Sequence, residues 1–265
     1  MTFFYRDCIN IFTDTSDKTL KLARGEYKAT CCGFVATYQG RMIDSGMEVW
    51  IDECTNFGEA KGVELAIGWI LFAAARGLRP PTAYNVFTDS HTVMAQVNNY
   101  LIDWFYNLSQ TQKTDLVYNG RQNGITCENV TYNIAYTIFT SGLPIRVFYT
   151  PAHVPVWNVP FRGFQQSNKK FNDLNERYHG PLSAELQTYI TFEMATFNNV
   201  VDLTTRNYLF RNLYLIQEDL NRAGDSIPLG SSRKMPVRWP FVMMDPPNYR
   251  QVNGAPANLM LVAPK

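Results

Sequence analysis

Short runs of apolar residues with β-strand character dominate the first fifty residues. The run 8–13, CINIFT, mixes β-branched and aromatic residues and is followed by the polar stretch 14–16, whose residue types favour turns and helix caps. Two more runs, 28–38 and 41–51, flank the dipeptide 39–40, Gln-Gly, which predicts an antiparallel hairpin. The pattern therefore predicts three strands before the first helix.

The apolar spacing then changes to the helical period over residues 55–75. Glu59 shares the apolar face of this predicted helix, at about 100° per residue, whereas Glu64 lies about 140° round the helix and near the solvent side. The apolar members of that face are Val63, Ala66, Ile67, Ile70 and Ala74. Glu59 is therefore a carboxylate that points with the core residues.

Strands and helices alternate over the middle of the chain. The predicted elements are a strand at 84–88, a helix at 90–106 that Ser90 caps, a helix at 129–140, a strand at 145–150 and a helix at 167–178. Two further helices are predicted at 184–198 and 206–222, before a Pro-rich tail.

Two of the predicted strands are nearly the same string. INIFTD ends at Asp14 and YNVFTD ends at Asp89. If the strands are parallel neighbours, both acids lie at the edge of the sheet where α/β folds bind ligands. Glu59 can join them, and three carboxylates repel one another unless a cation is present. Oxygen ligands suit Mg²⁺ or Mn²⁺, and a pair of such ions is an arrangement that cleaves phosphodiesters.

Composition narrows the class of protein. The 265 residues are 46% hydrophobic with a formal net charge of +1, which excludes a disordered chain and gives no global field for nucleic acid. Five cysteines without a CxxC spacing favour a reducing compartment. The start of the chain has no secretory pattern, and the apolar stretch 63–75 is too short to span a bilayer. We expect a soluble cytoplasmic protein with no membrane partner.

Four motifs occur in an order and spacing that resemble the ribonuclease H family. They are FTDTS near the start, TNFGEAKGVELAI at the first helix, NVFTDSH at the fourth strand and FYTPAHV after the fifth. The resemblance covers about residues 5–178 and is closest to viral and phage-type members, so the cytoplasm is that of a host if the source is viral. It implies an α/β fold with a five-stranded mixed sheet in the order 3-2-1-4-5 and helices on both faces.

The resemblance also implies a ligand set for divalent metal. Asp14, Glu59 and Asp89 match the first three metal-binding carboxylates of the family. A fourth is expected on the helix after the fifth strand, where Asp173 is the best candidate and Glu176 the fallback. Two Mg²⁺ or Mn²⁺ ions are the implied cofactors.

Two further residues match functional positions of the family. His153 corresponds to its mobile histidine, which assists product release or proton transfer. Asn56 resembles the asparagine that contacts substrate, where recognition of the 2′-hydroxyl distinguishes RNA from DNA.

The leading hypothesis is a ribonuclease H that cleaves the RNA strand of RNA/DNA hybrids and leaves 5′-phosphate and 3′-hydroxyl ends. Residues 1–179 form the catalytic domain in this prediction, and residues 180–265 form an extension of unassigned function that packs on the core. Two alternatives stay open, a nuclease of the same fold that acts on structured DNA or duplex RNA, and an inactive binding or structural module. No feature identifies protein partners or the oligomeric state.

Overall fold

The computed structural model describes residues 7–51, 54–80, 82–106, 127–152, 162–181, 194–223 and 233–234. The strands are β1 (Cys8–Leu22), β2 (Gly25–Tyr38), β3 (Arg41–Ile51), β4 (Ala83–Thr88), β5 (Ile145–Tyr149) and β6 (Arg233–Lys234). The helices are α1 (Thr55–Ala75), α2 (His91–Tyr106), α3 (Cys127–Ser141), α4 (Arg162–His179) and α5 (Ala195–Ala223).

The strands form one mixed sheet in the order β5-β4-β1-β2-β3-β6. β1 pairs antiparallel with β2 and parallel with β4, β2 pairs antiparallel with β3, and β4 pairs parallel with β5. The first five strands therefore have the predicted order 3-2-1-4-5, and the ribonuclease H-like fold class is confirmed. β6 adds a short antiparallel pairing at the β3 edge, which the sequence pattern did not predict.

Helices cover both faces of this sheet. Alternate residues of β2 face opposite layers: Cys32 and Phe34 pack in a cluster with α1, α2 and α3, whereas Val35 packs with α4 and α5. A third cluster, which includes Cys31, joins the outer half of the β1–β2–β3 sheet to the second half of α5. The molecule therefore has three layers, and α5 supports the sheet on the face opposite to α1.

The first strand is longer than predicted. Residues 14–16 were expected to turn, but β1 continues to Leu22 and stays paired with β2 over its whole length. The chain turns at Ala23 and Arg24 instead, and the predicted turn at Gln39 and Gly40 joins β2 to β3 with φ angles of 51° and 75°. Both angles are positive, as a two-residue hairpin turn requires. Asp14 consequently lies within β1, just after the pairing with β4 has ended and where the pairing with β2 continues.

The last described helix also differs from the prediction. The break expected between 198 and 206 is absent, because α5 runs without interruption through that stretch. The Thr204 and Thr205 hydroxyls donate hydrogen bonds to the carbonyls of Val200 and Asp202, so these polar residues are satisfied inside the helix. Val200 is buried against the sheet, which supports the helix at this point.

Within the described ranges, no helix combines the length and the apolarity that crossing a bilayer requires.

Candidate metal centre

The two echoing strands, β1 and β4, lie side by side in matching register. Asn10 of β1 faces Asn85 of β4, and its Oδ1 accepts a hydrogen bond of 3.0 Å from Asn85 Nδ2. Both side chains are buried, so a slip of one residue leaves their amides without partners. The sequence suggested that the two similar strings could pair as parallel neighbours. In the sheet, corresponding residues of the two strings lie opposite each other.

The β1–β4 pairing ends at Thr13 and Thr88. Asp14 and Asp89 are the next residue of each strand, so the two carboxylates emerge together where β4 stops and β1 continues alone with β2. Thr13 Oγ1 donates a hydrogen bond of 3.1 Å to the Phe87 carbonyl, which fixes the end of the ladder. This is the crevice beyond the carboxyl end of a parallel strand, where α/β sheets bind ligands.

Helix α1 brings the third acid to this crevice. Glu59 lies in the second turn of α1, between Gly58 and Gly62, and only 8% of its surface is exposed. A Cβ built on Gly58 meets the side chains of Thr15 and Thr30 at 2.7 Å, so the missing side chain is what lets the helix lie this close to β1 and β2. Glu64 lies outside the crevice and pairs with Lys61.

Asp14, Glu59 and Asp89 form a compact acidic cluster. One ligand oxygen from each lies within 4.8 Å of the others. Asp14 is 5% exposed, and its Oδ1 accepts a hydrogen bond of 2.6 Å from the Thr15 backbone amide. Glu59 Oε2 is buried without a hydrogen-bond partner. A buried carboxylate oxygen of this kind is unfavourable unless a cation completes the site.

Burial and mutual repulsion perturb these acids strongly. Burial raises the pKa of Asp14 well above its usual value, and the neighbouring charge of Asp89 raises it further. Burial likewise raises the pKa of Glu59, with added repulsion from Asp89 and Asp14. The folded chain therefore concentrates negative charge in a place that disfavours it. Groups with pKa values perturbed in this way cluster at functional sites.

A fourth acid, Asp202 of α5, acts on this cluster through its charge, although its oxygens are not among those that lie within 4.8 Å of one another. Its charge raises the pKa of both Asp14 and Glu59. Its side chain is 14% exposed, and its two oxygens accept hydrogen bonds of 3.0 and 3.2 Å from the Arg206 guanidinium. The positive charge of Arg206 partly lowers the pKa of Asp14.

Sequence reasoning missed Asp202, because residues 180–265 were assigned no site. A signal was present: Asp202 follows Val201, a buried residue of α5, and a carboxylate next to an apolar helix face resembles the placement of Glu59. Without the position of α5 over the sheet, that signal does not say which edge the acid reaches.

The other predicted site residues lie elsewhere. Asp173 and Glu176 are exposed on α4, and neither belongs to the acidic cluster found among the described residues. Asn56 is exposed in the first turn of α1, one turn before Glu59. His153 lies outside the described residues. The assignments of Asp173, Asn56 and His153 stay predictions.

The cluster fits a hard divalent cation. Its donors are carboxylate oxygens, which Mg²⁺ and Mn²⁺ prefer, and the unpartnered Glu59 Oε2 supplies a ligand atom that no protein group uses. Asp14, Glu59 and Asp89 are the residues that would hold the ion, with Asp202 beside them.

Comparison with known proteins gives distant structural similarities and no sequence match. No protein-family model matches the sequence, and a search of curated proteins gives no match. The structure is similar to the N-terminal RNase H domain of a Mycobacterium tuberculosis protein solved as a fusion with maltose-binding protein, with 12% identity, a TM-score of 0.34 and coverage of 64% of this chain and 98% of that one. It is also similar to a type 1 RNase H that carries the type 2 active-site motif. The identity is 11%, the TM-score is 0.30, and the match covers 69% of this chain and 81% of that one. The strand order and directions of this chain, rather than these distant similarities, define its fold.

Proposed function

We propose that this protein is a divalent-metal-dependent endonuclease, and more narrowly a ribonuclease H that hydrolyses the RNA strand of RNA/DNA hybrids. The observation that carries the proposal is the convergence of Asp14, Glu59 and Asp89 within 4.8 Å at the end of a parallel strand, with Glu59 Oε2 buried and unpartnered. The four motifs that resemble the ribonuclease H family support the choice of substrate.

Each acid has a distinct part in the proposed site. Asp14 and Asp89 approach from the sheet and Glu59 approaches from α1, so the ligand oxygens converge from different elements. We propose Asp202 as the fourth carboxylate, because its charge acts on both Asp14 and Glu59. When bound, two Mg²⁺ or Mn²⁺ ions supply Lewis acidity and lower the pKa of the attacking water. Burial of the acids in a low-dielectric crevice strengthens these electrostatic effects.

Two residues are proposed to act on the substrate. Asn56 is exposed in the first turn of α1, one turn before Glu59, and we propose that its amide contacts a 2′-hydroxyl group of RNA. His153 is proposed to assist product release or proton transfer, on the strength of the FYTPAHV motif alone.

The substrate is tested by comparing three labelled nucleic acids, an RNA/DNA hybrid, duplex RNA and branched DNA. We expect Mg²⁺-dependent internal cleavage of the RNA strand of the hybrid, with 5′-phosphate and 3′-hydroxyl ends. Cleavage should fall by about 10²-fold or more in Asp14→Asn and in Asp89→Asn. Preferred cleavage of duplex RNA or branched DNA would keep the nuclease and replace the substrate. A folded protein that cleaves none of the three would support an inactive binding module.

The fourth ligand is tested by a matched pair of variants. Asp202→Asn and Asp173→Asn make the same chemical change on two different helices. We expect a loss of cleavage and a weaker thermal stabilisation by Mg²⁺ in Asp202→Asn, and little change in either quantity for Asp173→Asn. The reverse result would return the role to Asp173, the residue that sequence reasoning favoured.

A further inference from the structure

The outward face of α5 carries a row of exposed aromatic and basic residues. Phe210 is 48% exposed and Tyr214 is 69% exposed, one turn apart on the same face. Arg206 is exposed one turn before Phe210, and Arg211 is exposed at the position directly after it. From 203 to 217 the helix contains no acid, so the local charge of its middle part is positive although the whole chain is nearly neutral.

A lysine from the sheet joins this row. Lys18 of β1 is exposed, and its Nζ lies 5.7 Å from the centre of the Phe210 ring. The outer half of β1 and the second half of α5 pack together, so the backbones that carry the lysine and the ring are neighbours in the fold. We call the set Lys18, Arg206, Phe210, Arg211 and Tyr214 the α5 strip.

The α5 strip begins at the candidate metal centre. Val201 packs in one cluster with Phe12 and Phe87, which lie two residues before Asp14 and Asp89. The next residue, Asp202, accepts hydrogen bonds from Arg206, one turn further along the helix. Tyr214 lies twelve residues after Asp202, which is about 18 Å along a helix. At about 3.4 Å per nucleotide of one strand, the row spans roughly five nucleotides.

We propose that the α5 strip binds single-stranded nucleic acid that continues from the cleavage site, an inference that rests on the proposed nuclease function. Exposed rings stack on unpaired bases of any sequence, and interleaved cations bind the phosphates. A fully paired duplex keeps its bases stacked on each other and offers these rings no base face. The absence of acids over residues 203–217 favours a polyanion over an acidic or apolar protein partner. The preferred substrate is then a duplex with a single-stranded flank.

The test compares the affinity of the full-length chain for blunt and tailed substrates. Asp14→Asn is used as the background so that the nucleic acid is not cut. Fluorescence anisotropy gives the dissociation constants for a blunt RNA/DNA hybrid and for the same hybrid with a single-stranded DNA tail of about five nucleotides on either end. We expect one tail to tighten binding about tenfold or more, and the double variant Phe210→Ala/Tyr214→Ala to bring the ratio towards one.

Phe72→Ala is the matched control. Phe72 is 53% exposed and has the Arg76 guanidinium 4.1 Å from its ring centre, so it has the same chemistry as Phe210. It lies near the other end of α1 from Glu59, about 20 Å along that helix. We expect the tail to strengthen binding in this control as much as in the background. Circular dichroism and thermal unfolding verify that every variant is folded.

The outcomes separate this inference from the proposed function. If neither tail tightens binding, or if the double variant keeps the full effect of the tail, the α5 strip is not a nucleic-acid site, whatever the cleavage assay shows. A different outcome is that the tail strengthens binding through Phe210 and Tyr214 while the protein with intact Asp14 cleaves no substrate. In that case the α5 strip is a nucleic-acid site and the nuclease proposal fails.

Discussion

Asp14, Glu59 and Asp89 are side chains that a structural role alone does not explain. Asp14 and Glu59 are largely removed from water, and the charge of Asp89 raises the pKa of both by repulsion. Proteins keep such destabilising groups where they bind or react, because substitutions that relieve the strain remove the function. We therefore expect that removing one of these charges stabilises the metal-free protein and weakens metal binding.

Asp14→Asn should make the metal-free protein more stable at neutral pH. The amide oxygen can still accept the hydrogen bond from the Thr15 amide, while the repulsion of Asp89 and Glu59 is removed. We expect a gain of about 1 kcal/mol, or roughly 2–4 °C in the unfolding temperature. The stabilisation of the wild type by Mg²⁺ should shrink in the variant. Thermal unfolding with and without Mg²⁺ measures both effects.

The pH dependence of that gain has a definite sign. The folded-state pKa of Asp14 is raised, so the unfavourable charge is present above that pKa and disappears as the pH falls through it. The advantage of Asp14→Asn should therefore vanish in acid. Asp103→Asn removes an exposed acid outside the cluster and serves as the control. A metal-free Asp14→Asn protein that is less stable than the wild type at neutral pH would contradict this explanation.

Gly58 is predicted to set the position of Glu59. In Gly58→Ala the new methyl group overlaps the Thr15 and Thr30 side chains, whose β-branched rotamers have little freedom to move. We expect a loss of about 1–3 kcal/mol in the free energy of unfolding and weaker binding of Mg²⁺. Urea unfolding and metal titration test the two parts.

Gly68→Ala is the control on the same helix. A Cβ at Gly68 meets nothing within 4 Å, so only the helix propensity changes. We expect this variant to gain about 0.5–1 kcal/mol in stability. Equal effects of the two substitutions would show that contact with β1 and β2 does not position the helix.

At the residue scale, the sequence predicted the three acids that a local pattern marks. Asp14 and Asp89 were predicted to be neighbours because two strands carry the same string, and Glu59 because it shares a helix face with core residues. The structure brings these three together. Asp202 was beyond reach because its role depends on where a distant helix crosses the sheet.

At the scale of elements, α4 closes the free edge of β5. Asn175 is buried, and its amide both accepts a hydrogen bond from the Tyr149 N–H and donates one to the Tyr149 carbonyl. His179 Nε2 lies 2.8 Å from the Val147 carbonyl, and its ring packs 4.2 Å from that of Phe148. Because a carbonyl only accepts, Nε2 carries the proton of the neutral ring. These side chains satisfy backbone groups that another strand would otherwise bind.

The edge contact of His179 predicts a loss of stability in acid. Burial lowers the pKa of His179 to about 4, below the ordinary value that the unfolded chain has. The unfolded state therefore binds a proton first, and stability present above pH 6.5 is lost as the pH falls towards 4. The resulting loss in the free energy of unfolding is at most about 3 kcal/mol.

His179→Gln isolates this contribution because it keeps an N–H donor but does not titrate. Urea unfolding at neutral pH and near pH 4 should show a smaller decrease for the variant than for the wild type. Equal decreases in the two proteins would mean that the imidazole is not the titrating group. The acidic cluster is common to both proteins and cancels in the comparison.

Element boundaries were predictable where a local signal marks them. The Gln39-Gly40 turn and the helix that starts at Thr55 have such signals, and the structure confirms both. The length of β1 has none, since residues 14–22 become a strand only because β2 lies alongside. The continuity of α5 likewise comes from packing against the sheet, which outweighs the polar residues near Thr204.

At the scale of the whole molecule, the fold places the metal centre between its layers. The sheet supplies Asp14 and Asp89, α1 supplies Glu59, and α5 on the opposite face carries Asp202, which we propose as the fourth carboxylate. Residues 195–223 of the predicted extension pack on the sheet. The division at 179 stays a prediction, and the proposed site with Asp202 would draw on chain from both sides of it.

The sheet order was predictable from the whole molecule's motif pattern, whereas the contribution of α5 was not. Four motifs distributed over the first two thirds of the chain resemble the ribonuclease H family, and that resemblance implied the observed order of the five strands. β1 and β4 are parallel neighbours, as their similar strings suggested. No motif covers α5, so its position depends on long-range packing of Phe197 and Leu209 that a single sequence does not encode locally.

The most direct test of the central claim is the rate of cleavage of a labelled RNA/DNA hybrid as the Mg²⁺ concentration is varied, for the wild type and for Asp89→Asn. We predict internal cleavage of the RNA strand that requires Mg²⁺ and falls by about 10²-fold or more in the variant, with both proteins folded. Cleavage that persists in a chelator, or equal rates for the two proteins, would contradict the assignment of a metal-dependent nuclease to this site.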